Sequence, residues 1–156
     1  MADNSDLIKL VKMPILIALA VTVARALAEF AGLPNVVVMV LGVAWLHILF
    51  PIYFAKRVLE MGFASPFVAM LKATVIWAVP VRAVIALTYV TGYVFQVQST
   101  RFQPGSLGPL GEETTPLQGF VMFPAINFAS WMVGAVFLAS ITGGLTILLL
   151  RKRAVA

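Results

Sequence analysis

Apolar residues along this chain come in four long runs rather than in a helical or alternating stripe, and polar residues collect between them. The runs cover residues 13–33, 36–54, 73–95 and 120–150. A hydrocarbon core of about 30 Å needs about 20 residues at 1.5 Å each, so each run is long enough, or nearly so, to cross a bilayer as one helix. Only helices satisfy every backbone polar group within one segment there. The pattern predicts an all-α integral membrane protein: four transmembrane helices in an antiparallel bundle, forming a single domain over residues 1–156.

The intervals set the connections. Gly32-Leu33-Pro34-Asn35 is a short turn, which makes the first two spans antiparallel neighbours. Pro14 falls in the first turn of a helix starting near residue 13, where its missing N–H costs little. Residues 55–72 read as a short connection broken at Gly62 and Ser65-Pro66, part of it lying along the interface. Residues 96–119 are the one long polar stretch, and Pro104-Gly105, Gly108-Pro109 and Gly111 predict an irregular outer loop. The fourth run exceeds the minimum length, which predicts tilt, a kink at Gly143-Gly144 or a protruding end.

Charge fixes the expected orientation. Lys9, Lys12, Lys56, Arg57, Lys72, Arg151, Lys152 and Arg153 fall on one side of a four-span arrangement, and Arg101 alone on the other. The positive-inside rule then places both termini in the cytoplasm and the 96–119 loop outside, as in a bacterial inner-membrane protein. Composition agrees: 62% of residues are hydrophobic, 11% are charged, and mean hydropathy is +1.02. The net charge of +5 lies at the ends of the apolar runs, so it reads as topology rather than nucleic-acid binding.

Inside the runs lie four costly residues: Arg25 and Glu29 in the first, His47 in the second and Arg82 in the third. Arg25 and Glu29 are four apart and can pair on one helical face. In straight helices Arg25, His47 and Arg82 lie within roughly 6 Å of one another in depth, with Glu29 about one turn further out. Two guanidiniums against one carboxylate leave positive charge that needs a partner or water. Pro80 frees the Ile76 carbonyl as one acceptor for Arg82. The plainest reading of the cluster is a helix–helix lock. Next come a cavity for an anion or lipid head group, then a proton or ion relay, for which one acid and one histidine are few groups.

Ser130, Gly134, Ala135, Ala139 and Gly143 form a small-residue row that lets the fourth helix pack closely against a neighbour or another subunit. Asn127 is placed to hydrogen-bond across to another helix, and Tyr89 and Tyr93 read as part of an outer aromatic belt. Cysteines are absent and histidine occurs once, which excludes thiolate chemistry and a multi-histidine metal site within one chain. A haem on His47 would need Met39, Met70 or another chain opposite it, so the residue reads first as an interior histidine beside Trp45. No phosphate-binding glycine loop, zinc-protease motif or nucleophile–base pair occurs.

The sequence thus leads to a non-enzymatic small integral membrane subunit that packs in a larger complex or a homo-oligomer. Its expected partners are membrane lipids and protein subunits; no cofactor, metal or nucleic acid is expected. The alternative is a small transporter or lipid- or anion-binding protein with a site at Arg25, Glu29, His47 and Arg82. A haem- or quinone-associated membrane anchor comes third.

Overall fold

A computed structural model describes residues 3–106, 108–111 and 113–155, the side chains of residues 105 and 153–155 excepted. Among the described residues the chain is all-helical, with no strand. The helices are α1 (Asn4–Phe30), α2 (Asn35–Val40), α3 (Leu46–Glu60), α4 (Pro66–Val94) and α5 (Phe123–Val155). A 3₁₀ turn, Val43–Trp45, precedes α3; two more, Thr100–Phe102 and Pro104–Ser106, follow α4; a π-helical turn, Gln118–Met122, leads into α5. Four stretches are long and apolar enough to cross a membrane: Asn4–Phe30, Asn35–Glu60, Pro66–Val94 and Gln118–Lys152.

The apolar runs locate the helices but not their full extent. α1 starts at Asn4, α3 continues through Lys56 and Arg57 to Glu60, and α4 takes in Lys72. Lysine, arginine and glutamate are good helix formers, so a helix passes through them into its polar end. Pro14 therefore sits well inside α1 rather than in its first turn. The second stretch is interrupted at Leu41–Gly42, where Gly42 N–H donates to the Met39 carbonyl at 3.0 Å. A Cβ on Gly42 would lie 2.8 Å from that same carbonyl oxygen, so only glycine fits the break.

Three helices end alike. Gly32 and Gly62 have φ of +68° and +70°, and the next residue bonds back across the last turn: Leu33 N–H to Ala28 O at 3.0 Å, Phe63 N–H to Val58 O at 3.3 Å. These are left-handed caps that glycine adopts without penalty. α4 ends with Gln96 at φ 50° and the same bond pattern, Val97 N–H to Gly92 O at 3.0 Å. There the side-chain amide also donates to the Tyr93 carbonyl at 2.6 Å, which helps offset the cost of about 1–2 kcal/mol for a left-handed residue with a Cβ.

Contacts divide the chain into two compact units. Unit 1 comprises Met1–Ala18, Val43–Pro80 and Met132–Ala156; unit 2 comprises Leu19–Gly42 and Val81–Trp131. Unit 1 is built around Trp77, fully buried on α4. Its indole N–H donates to the Pro14 carbonyl at 3.2 Å, and the rings of His47, Phe50 and Phe54 lie 4.8, 5.2 and 6.4 Å from it, edge to face. Such aromatic pairs add attraction beyond their area. Gly143 of α5 lies so close that a Cβ there would meet Met70 Sδ at 2.8 Å and the Pro51 carbonyl at 3.1 Å. In lipid this close approach is a main source of helix attraction, because apolar side chains gain nothing by leaving the solvent.

Candidate functional site

Unit 2 holds Arg25, Glu29 and Arg82, the charged residues of the apolar runs, and several of its side-chain contacts centre on the Glu29 carboxylate. Arg25 and Glu29 sit one turn apart on α1, and the expected pair forms, with Arg25 Nε 3.1 Å from Glu29 Oε1. Two further donors come from the segment after α4. Ser99 Oγ donates to Oε1 at 3.3 Å, and Arg101 Nη2 donates to Oε2 at 2.6 Å. The Glu29 side chain is 1% exposed, so burial without these partners would be costly.

The loop reaches Glu29 because it is anchored by Phe102. Its ring is 1% exposed and rests on Gly92 of α4, where a Cβ would come within 2.9 Å of the ring. It also meets Tyr89 edge to face at 5.4 Å. The 3₁₀ turn is closed by Phe102 N–H to Ser99 O at 2.9 Å, and Leu110 N–H returns to Phe102 O at 2.8 Å. This fold presents Ser99 and Arg101 on the side facing α1. The Arg101 guanidinium lies 4.4 Å from the Phe102 ring centroid and 5.5 Å from that of Tyr89, within cation–π range. Burial pulls the Arg101 guanidinium below its ordinary value; Glu29 opposes this and Arg25 adds to it. Its Nε is buried and meets no acceptor among the described residues.

Arg82, 3% exposed on α4, places its guanidinium carbon 4.3 Å over the Trp131 ring. It lies within electrostatic reach of Arg25 and Tyr89. Tyr89 itself is buried rather than part of an outer belt, and its hydroxyl accepts from Asn127 Nδ2 at 2.9 Å, joining α4 to the start of α5. Tyr93 packs edge to face on Phe120 at 5.2 Å and against Gly119 of the π-helical turn. Arg82 and Arg101 both lie within electrostatic reach of Arg25, so three guanidiniums accompany the single carboxylate of Glu29.

The remaining sequence-derived residues fall in other places. His47 belongs to unit 1, fully buried against Trp77. Its Nδ1 is 3.0 Å from the Val43 carbonyl, which can only accept, so that nitrogen carries the proton. Of the small-residue row, Ala135, Ala139 and Gly143 are buried, Gly134 is half-buried and Ser130 is exposed. Among the described residues no group of three or more histidine, aspartate or glutamate side chains is arranged to hold a metal.

Ser99 and Arg101 are the site residues that sequence reasoning misses. Arg101 carries one faint signal, being the lone basic residue assigned to the outer side. Ser99 carries none.

The fold and site together define a class: an all-helical chain with four potential membrane-spanning stretches and a buried arginine–glutamate cluster. Comparison with protein-family models, curated proteins and solved structures finds no match to this chain.

Proposed function

We propose that this chain is a multi-pass inner-membrane protein, N-in and C-in, that acts as a small non-enzymatic integral subunit of a larger assembly or homo-oligomer. The observation carrying this reading is the engagement of Glu29. The only carboxylate within the four apolar runs has both oxygens taken by Arg25, Ser99 and Arg101. A carboxylate so held serves poorly as a general base or a proton-relay station, both of which need an oxygen open to the reacting proton. It serves well as a lock that fixes α1 to the segment following α4.

A long apolar face supports the subunit reading. Val133, Phe137, Ile141, Leu145 and Leu148 of α5 follow three- and four-residue spacing and are all exposed. Lipid or a neighbouring subunit would cover them. Size-exclusion chromatography in a mild detergent, after extraction from membranes of the native host, tests the proposal. Co-elution of a second protein, or a multiple of the chain mass, is expected; a well-behaved monomer with nothing bound would overturn it.

A second reading rests on the three guanidiniums grouped with one carboxylate and on the unsatisfied Nε of Arg101. Both suit an anion or lipid head group held by Arg25, Arg82 and Arg101, as in a small transporter or lipid-binding protein. Mass spectrometry should then detect an anionic species that Arg82→Leu releases; unchanged retention would exclude this reading.

A further inference from the structure

Unit 1 carries a second feature, unrelated to Glu29, around Lys72. Val68, Leu71, Lys72, Val75 and Ile76 share one face of α4 at helical spacing, and Asn4 and Ile8 stand four apart on α1. With Val136 of α5 these residues line an apolar groove of about 570 Å³. A second cavity of about 340 Å³ has a mixed lining, with Asp3, Asn4, Ser65 and Lys72 beside Leu7 and Phe63. The two cavities share Asn4, Val68 and Lys72, so an apolar slot adjoins a cup of mixed lining with an ammonium between them.

The charges around that junction are unequal in availability. Asp3 is engaged by the backbone N–H groups of Ser5 and Asp6, capping the first turn of α1. Lys9 pairs with Asp6, and Lys56 with Glu60. Lys72 is exposed and makes no ion pair with any described residue. An apolar channel beside an ammonium that forms no ion pair, with the Asp3 carboxylate of the same cavity held by the backbone N–H groups of α1, is complementary to an amphiphile with one acyl chain in the slot and a negative head group at Lys72.

We infer that this pair of cavities is a binding site for an anionic glycerophospholipid, with an acyl chain along Ile8, Val75 and Ile76 and the phosphate at Lys72. The inference rests on the reading that the four stretches span a membrane, which sets the slot among acyl chains and Lys72 at head-group level.

Native mass spectrometry of the full chain in detergent, offered equal phosphatidylglycerol and phosphatidylcholine of the same chain length, tests it. Wild type should retain phosphatidylglycerol preferentially. Lys72→Gln should lower that preference about fivefold, the weight of one basic residue at an anionic lipid surface. Lys12→Gln, which removes a charge from the same end but outside both cavities, should leave it unchanged. Ile8→Trp, at a position 59% exposed and so tolerant of size, should fill the slot and reduce retention of both lipids. Equal loss in Lys72→Gln and Lys12→Gln, or full retention in Ile8→Trp, would overturn the site. Release of wild type from membranes by alkaline carbonate would instead overturn the spanning reading on which it stands.

Discussion

Glu29 is gripped from two directions in the chain, by its own helix through Arg25 and by a segment 70 residues away through Ser99 and Arg101. Removing the carboxylate strands two guanidiniums at once, whereas removing Arg82 leaves the Arg25–Glu29–Arg101 set whole. Breaking a buried pair by deleting one partner costs roughly 3–5 kcal/mol. We therefore expect Glu29→Leu to destabilise by about 3 kcal/mol and Arg82→Leu by less. Arg101→Leu should fall between them, since Arg25 still covers Glu29 Oε1. Thermal unfolding in one detergent ranks the three variants. Equal midpoints for Glu29→Leu and Arg82→Leu would show that Glu29 does not organise the cluster.

At the scale of elements, α5 meets α3 and α4 through Gly143. A valine at position 143 would push against a thioether that can bend and a Pro51 carbonyl that cannot. Overpacking of this kind costs typically 1–3 kcal/mol, so Gly143→Val should lower the unfolding midpoint, and Gly143→Ala should do so by less. An unchanged midpoint in Gly143→Val would mean that the contact yields freely. The row that leads to Gly143 is legible in the sequence because small residues at four-residue spacing have a direct steric meaning. The four runs are legible for a similar reason, since length and apolarity alone satisfy the bilayer criterion. The break at Gly42 is not, because Val36 to Phe54 is apolar on both sides of it and a single glycine within a helix is tolerated. The grip of Arg101 on Glu29 is hidden more deeply: it depends on Phe102 seating against Gly92 and Tyr89, a tertiary contact that no local spacing encodes. Depth along straight helices likewise groups His47 with the arginines, but it carries no information on which neighbours a side chain will find. The structure gives His47 to Trp77 and the Val43 carbonyl.

At the scale of the whole molecule, both the subunit proposal and the lipid site depend on a chain that crosses the membrane four times, with basic ends inside and the Arg101 segment outside. The absence of cysteine makes this directly measurable, since any introduced thiol is the only one present. Ser106, exposed in the segment between α4 and α5, and Lys12, exposed in the N-terminal part of α1, give one probe for each side. Each would be replaced singly by cysteine and treated with a membrane-impermeant maleimide in intact spheroplasts. A four-span chain with its basic ends inside requires that Ser106→Cys react at once and Lys12→Cys only after permeabilisation. Reaction of both in intact spheroplasts, or of Lys12→Cys alone, would contradict it.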